Sequence, residues 1–372
     1  MEMVNRSAAT VLLLCLSSML IASEAYTPIA YGTKSRGMGS VGIANVQGAE
    51  SGFSNPALLA FTDGNEVSSG GTYTKNDVNA DIGIVIYTLN GNVIRSDYTS
   101  SESTLSPYLC ANYHITDTIS IGAGVTDYLL KNRLYTTTGT FDIEIGKTRV
   151  SLPVSYRLYG FSMGATLIYE RMRYETDNGG IVDDDSSGDF GYEIGMGYRF
   201  QDLGLIVAID YRSEIEHMFS DADNINSVSE LGVGVSWTLF STPHQVALEY
   251  KRLDSSNVYT DTSTQLTTQD QDVFAVGYMY DAEIWQFRTG YKYVSAFYDD
   301  DLFGGVMDFG MPFATTSHYT LGGSYMFLEG FSADLAIVYA TYEHKKTVDG
   351  LGSLYSVEND PLSLSVGVNY RF

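Results

Sequence analysis

Pro361-Leu362-Ser363-Leu364-Ser365-Val366-Gly367-Val368-Asn369-Tyr370-Arg371-Phe372 is the stretch on which the reading of this chain turns. Side chains on a strand alternate between two faces. Leu362, Leu364, Val366, Val368, Tyr370 and Phe372 therefore share one face, and Ser363, Ser365, Gly367, Asn369 and Arg371 share the other. A strand with lipid on one side and a lumen on the other gives this pattern. A soluble sandwich gives it too, so alternation needs a second observation beside it.

The same period recurs upstream. Leu231-Val233-Val235-Trp237-Leu239, Leu205-Val207-Ile209-Tyr211, Phe331-Ala333-Leu335-Ile337-Tyr339 and Val246-Leu248-Tyr250 each alternate with smaller or polar residues. The connections supply the second observation. Short turns at Thr116-Asp117, Gly160-Phe161, Gln201-Asp202, Ser241-Pro243, Asp281-Glu283 and Leu328-Gly330 alternate with long polar stretches at 131–146, 177–188, 220–228, 255–271, 298–317 and 346–360. Outer-membrane barrels have short periplasmic turns and long outer loops. Strands are expected near 66–75, 105–115, 119–130, 147–159, 162–176, 189–200, 204–219, 229–239, 245–254, 272–280, 284–297, 318–327, 331–345 and 361–372, which makes 14, an even number. Asp81 to Thr88 also looks extended and is taken as a prolongation of the first strand or an ordered part of the first outer loop. Abundant tyrosine (29) and glycine (37) with little proline (7) suit such a wall, tyrosine as interfacial anchor and glycine where the wall is crowded. The expectation is an all-β, 14-stranded antiparallel transmembrane β-barrel. The last strand, ending on Phe372, resembles the C-terminal signal by which the barrel-assembly machinery recognises its clients.

Residues 1–25 read as a secretory signal peptide. Arg6 supplies the positive end, Ala8 to Ile21 is apolar, and Ser23-Glu24-Ala25 places small residues before a cut at Tyr26. The apolar run is shorter than the roughly 20 residues a spanning helix needs. Cleavage would leave Cys110 as the one cysteine and so exclude an intramolecular disulfide. The net charge of −24 argues against nucleic acid, whose phosphates need a basic surface. Acid runs such as Asp183-Asp184-Asp185 and Asp299-Asp300-Asp301 read as solvated loop tips. No cofactor, metal set or enzyme is expected: there is no HExxH, no Gly-x-Ser-x-Gly, and the five histidines (114, 217, 244, 318 and 344) are scattered.

Residues 26–65 precede the barrel assigned to 66–372. They are rich in glycine and too irregular for strands, as a plug in the lumen would be. Gly37-x-Gly39-x-x-Gly42 matches a dinucleotide fingerprint but lacks the flanking strand, helix and acid that fingerprint requires. Ser35-Arg36-Gly37-Met38-Gly39-Ser40-Val41-Gly42-Ile43-Ala44, followed by Ser54-Asn55-Pro56-Ala57-Leu58-Leu59, resembles the N-terminal hatch signature of the FadL/OmpP1/TodX outer-membrane transporters. Ser106-Pro107-Tyr108, the turn at Thr116-Asp117 and Ile119–Gly124 fit the hairpin that follows the first outer loop in that family. The chain departs from the pattern at Gln47-Gly48-Ala49, where acids are usual, and at Leu58, where glycine is common.

The resemblance implies a passive transporter of hydrophobic small molecules, of the long-chain fatty acid or hydrocarbon class. Arg36, Gly37, Met38, Gly39, Asn55, Pro56 and Ala57 would form the hatch. Gly122 and Gly124, on the third strand, would mark a sideways opening. The apolar loop 298–317 offers Phe303, Met307, Phe309, Met311 and Phe313 either as packing over the barrel mouth or as a landing surface for ligand. The expected partners are a hydrophobic ligand, outer-membrane lipid and, during biogenesis, the assembly machinery. A non-transporting scaffold or shuttle in protein secretion and a general diffusion porin are the alternatives.

Overall fold

The computed structural model describes residues 28–84, 94–136, 139–178, 181–219, 225–239, 242–257, 269–296, 316–348 and 352–372. The wall strands are β1 (Glu66–Ile84), β2 (Ile94–His114), β3 (Ile119–Thr136), β4 (Gly139–Leu158), β5 (Phe161–Asn178), β6 (Ile181–Phe200) and β7 (Leu205–Arg212), then β10 (Glu230–Thr238), β11 (His244–Leu253), β12 (Gln271–Ala282), β13 (Trp285–Val294), β14 (Ser317–Leu328), β15 (Phe331–Val348), β16 (Gly352–Asn359) and β17 (Leu362–Arg371). All neighbours are antiparallel, and the sheet closes where β17 pairs with both β15 and β1. β16 pairs with the same two strands farther out, so β16 and β17 are one wall position interrupted at Asp360-Pro361. The wall therefore has 14 positions. Closure removes the free edges that lipid cannot hydrogen-bond.

The alternation resolves as lipid outside and lumen inside. On β17 the odd-numbered residues from Ser363 to Asn369 are buried, and Leu362, Leu364, Val366, Val368, Tyr370 and Phe372 are exposed. Aromatic residues ring both ends of the outer face. On β6, Phe190 and Tyr198 lie in the two girdles, roughly 27 Å apart along the strand and about 20 Å apart along the axis after tilt, close to the apolar band of a barrel.

Two expectations are corrected. The outer hairpins are longer than read from sequence: β1 continues to Ile84, and β3–β4, β5–β6 and β15–β16 run as strand through much of the polar stretches. Asp81 indeed prolongs the first strand. Second, the strand expected at 204–219 leaves the wall after Arg212. Ile215–His217 (β8) pairs with Ile225–Ser227 (β9) as a separate hairpin, buried in the lumen.

Residues Pro28–Asn65 lie inside the barrel. Their regular elements are one helical turn, α1 (Thr33–Arg36), and two 3-10 helices, Gly48–Phe53 and Pro56–Phe61, nearly all buried. Glycines of the wall make room for them. A Cβ at Gly277 would overlap Met38, one at Gly290 would overlap Gly39, one at Gly124 would overlap Phe53, and one at Gly164 would press on Pro56 and Ala57. The wall glycines thus act as sockets for the luminal segment rather than as turns.

Candidate functional site

The luminal segment is fixed by short local motifs and by wall side chains. Asn55 caps the second 3-10 helix: its Oδ1 accepts from Ala57 N at 3.0 Å, and its Nδ2 donates to Ile43 O at 2.8 Å. Pro56 opens that helix, where a missing N–H costs nothing. Gly39 has φ +70°, a conformation that side-chain-bearing residues avoid, and its N–H donates to Thr320 Oγ1 at 2.7 Å. Gly42 and Ile43 donate their N–H groups to Glu249 Oε2 on β11, at 2.7 and 2.9 Å. The amide of Gly42 in the dinucleotide-like fingerprint is thereby taken by a wall carboxylate. Arg212 donates to Phe53 O, Arg199 to Phe61 O and Lys292 to Ile29 O. Lys34 Nζ pairs with Glu66 of β1 at 2.9 Å and donates to Gln47 O. Glu50 accepts from Lys34 N, Tyr108 Oη and Ser68 Oγ, and burial outweighs these contacts to raise its carboxyl above the ordinary range.

A second buried network ties β8–β9 to the wall. Glu170 of β5 accepts a hydrogen bond from Arg149 Nε at 2.7 Å and forms an ion pair with its Nη2 at 2.6 Å. It also meets His217 Nε2 at 3.2 Å, Ser227 Oγ, and Lys147 Nζ at 3.6 Å. Arg149 and Arg212 lie over the Tyr31 ring, linking this layer to the luminal segment beneath it. Burial pushes the Tyr31 phenol up to about 12, so it stays neutral among these charges.

Two cavities among the described residues border the luminal segment on its outer and inner sides. The outer one, about 70 Å³, is lined by Pro28, Ile29 and Arg36 of the segment, Glu102 and Thr104 of β2, Tyr128 to Lys131 of β3, and His318, Val338, Ala340 and Ser363. The inner one, about 810 Å³, opens among the short turns and reaches Lys34 and Glu66. Beside the outer cavity the hydrogen-bonded ladder of the wall is interrupted, although the strands stay side by side. β2 and β3 pair from His114↔Ser120 to Tyr108↔Thr126, and in the described residues the ladder stops there. Just beyond, Leu129 N–H reaches Ser106 Oγ at 3.4 Å, a side chain in place of a strand partner.

The expected site residues fall in three groups. Arg36, Gly37, Met38, Gly39, Asn55, Pro56 and Ala57 are brought together in the lumen, and Arg36 faces the outer cavity. Gly122 and Gly124 lie in the part of β3 still paired to β2, packed against Leu59 and Phe53. The β3–β4 ladder skips Gly122 and Ala123 opposite Pro153, which has no N–H to give. Phe303, Met307, Phe309, Met311 and Phe313 lie outside the described residues. The clamps Glu249, Glu66, Glu170 and Lys292 were missed. Their signal was present: charged residues inside membrane strands must face the lumen and find partners there.

A closed 14-position antiparallel wall defines an outer-membrane β-barrel. A family model described as Gram-negative porin matches residues 111–350, and the chain belongs to that family, whose members are channels rather than enzymes. No curated protein sequence matches the chain. Among solved structures it is similar to the Pseudomonas putida toluene transporter TodX, at 16% identity over 94% of this chain and 100% of that one, with a TM-score of 0.71. A Pseudomonas aeruginosa FadL homologue gives 14% identity, 96% and 100% coverage and 0.71. The Ralstonia pickettii toluene transporter TbuX gives 16%, 92% and 98%, and 0.67. The resemblance to the FadL/OmpP1/TodX transporters holds at the level of fold.

Proposed function

We propose that this chain is a passive outer-membrane channel for hydrophobic small molecules of the fatty acid or hydrocarbon class. Residues 1–25 serve as its signal peptide, residues 26–65 as a hatch, and residues 66–372 as the barrel. The observation that carries this reading is the end of the β2–β3 ladder at Tyr108↔Thr126, beside the outer cavity. A ligand held against Ile29, Val338 and Ala340 has the apolar face of the split within reach, and the bilayer beyond it. The toluene transporters TodX and TbuX share this fold and support the ligand class. As it stands the cavity is smaller than the ~150 Å³ that holds a benzene ring, so ligand binding must widen it. Widening is easiest where strands are unpaired, which is true both outward of Tyr108↔Thr126 and at the break in the β3–β4 ladder beside Gly122 and Ala123. The apolar residues Phe303 to Phe313 of the outer loop would then serve capture.

The test is uptake of a fluorescent fatty acid and of radiolabelled toluene by cells whose own transporters are deleted. Leu130→Asp puts a charge at the split and is expected to lower uptake about tenfold, the effect of ~1.4 kcal/mol, which is modest for burying a carboxylate. Unchanged uptake by folded Leu130→Asp overturns the sideways route. The inner cavity of about 810 Å³ is the observation favouring a diffusion porin as second reading. High single-channel conductance of the unaltered protein would select it.

A further inference from the structure

Two places on the lipid-facing wall repeat one arrangement with different outcomes. On β5, Tyr169 packs against Phe190 of β6 in the outer aromatic girdle, ring centres 5.1 Å apart. Arg171 stands exposed two residues farther out on the same face. On β11, Tyr250 packs against Phe274 of β12 at 5.0 Å, and Arg252 stands two residues farther out. Arg252 lies opposite Asp272 and pairs with it at 3.1 Å, and with Asp270 at 2.9 Å. Lys75 on β1 is likewise paired, with Asp77 at 2.7 Å. Arg171 instead lies opposite Thr148 and Gly188, and its contact among the described residues is a 3.0 Å hydrogen bond to Ser186 Oγ. Arg173, the next outward-facing residue, shares the single carboxylate of Glu144 with Lys131. Of the other acids on this face, Asp127 accepts from Thr148, and Glu175 and Asp184 lie opposite each other one row farther out.

The wall around the two arginines is open. Gly146 lies opposite Arg173, and a Cβ there would come no nearer than 3.8 Å to a neighbouring atom. The Tyr169 hydroxyl lies over Gly188, where a Cβ would be 2.5 Å from it, so a third donor reaches the row of Arg171. Arg171 and Arg173 are about 7 Å apart along the strand, close enough for two guanidinium groups to converge on one tetrahedral anion. After strand tilt they stand about 5 and 10 Å beyond the girdle, at the level of lipid headgroups in the outer leaflet. We infer that Arg171 and Arg173 hold a phosphate of an outer-leaflet glycolipid, the lipid A part of lipopolysaccharide. Its acyl chains lie down the apolar face below, against Leu152, Leu167 and Tyr192, which are exposed side by side. The arginine fork matches phosphate oxygens through parallel charge-assisted bonds, and Tyr169 and Ser186 add neutral donors. Glu175 and Asp184 would repel a bare phosphate, but a divalent cation between phosphate and carboxylate turns that repulsion into a bridge. The site lies on the outside of the wall and does not rest on what passes through the lumen.

The experiment is native mass spectrometry of the purified full-length protein in detergent, titrated with diphosphorylated lipid A and with the same lipid stripped of both phosphates. The unaltered protein is expected to bind the phosphorylated lipid about tenfold or more tightly than the stripped one, and less tightly as salt rises. Arg171→Gln/Arg173→Gln is expected to weaken binding of the phosphorylated lipid about tenfold or more, through loss of two charge-assisted contacts. Arg252→Gln is expected to change nothing, because its guanidinium is already neutralised by two carboxylates. The heat-modifiable band on SDS gels establishes a folded barrel for each variant, and the single substitutions Arg171→Gln and Arg173→Gln serve should the double variant not fold. Unchanged lipid A binding by the folded arginine variants overturns the proposal. An equal loss in Arg252→Gln does so too, since attraction would then be diffuse around the rim. Equal retention of the stripped lipid also overturns it, because acyl packing alone would then suffice.

Discussion

At the scale of single residues, the protein is decided by pairs in which one partner is glycine. The luminal segment packs main chain to main chain against its wall at Gly39 and Gly290, and at Gly37 and Gly322. No rotamer change relieves a methyl group added there, because the atoms in its way belong to backbone. Gly290→Ala should therefore cost at least the 1–3 kcal/mol of ordinary overpacking, or roughly that much again in displaced segment. The measurement is the midpoint of thermal loss of the heat-modifiable band in detergent, compared with Gly323→Ala. Gly323 has only Gln286 O near its missing Cβ, at 3.1 Å, and serves as the milder control. Equal midpoints for the two variants would refute the socket account. The glycine run around Gly37 and Gly39 was legible in sequence as material for a tight luminal fold. That particular wall glycines receive it was not, since the partners are more than 200 residues apart.

At the scale of elements, β8–β9 is the clearest case of a pattern whose meaning the fold reverses. Leu205, Val207, Ile209 and Tyr211 face lipid, and apolar residues return at the odd positions Ile215 and Phe219, with polar Ser213 and His217 between them. Yet Arg212 and Ser213 are both buried, and from there the odd residues face the lumen. Periodicity cannot register that turn, because a change of face with no change of parity leaves the sequence looking the same. What holds the hairpin inward is charge. His217 and Ser227 meet Glu170, which is itself held by Arg149 and Lys147. Glu170→Ala would leave two buried cations without their carboxylate, a loss on the order of 3–5 kcal/mol. We expect the hairpin to leave the lumen and chymotrypsin to cut after Phe219, now 8% exposed, in otherwise folded protein. Continued protection of that bond in Glu170→Ala would mean that apolar packing of Ile215 and Ile225 suffices without the charges.

At the scale of the molecule, segment and wall are joined by ionised groups, so their union depends on pH. Burial alone would lower the pKa of Lys34, but Glu66, Asp334 and Glu50 around it raise it above the ordinary 10.5. The folded state therefore holds this proton more tightly than the unfolded chain. The stabilisation is complete below pH 10.5 and is lost as pH rises through the folded value. Thermal midpoints followed from neutral to strongly alkaline pH should fall more steeply for the unaltered protein than for Lys34→Met, which lacks the titrating group. Parallel falls would remove Lys34 from the account. At this same scale the alternating short and long connections, the even strand number and the terminal strand from Pro361 to Phe372 were enough to determine a membrane barrel. A wall strand's two faces see two solvents, and each face writes its solvent into every second residue. The sequence also marked Arg36 to Gly39 and Asn55 to Ala57 as special. Only the tertiary structure decided where the β2–β3 ladder ends, which side chains Gly122 and Gly124 pack against, and which wall glycines receive the luminal segment. Those features depend on which atoms meet across a closed cylinder. Such meetings join residues distant in the chain and leave no local period to read.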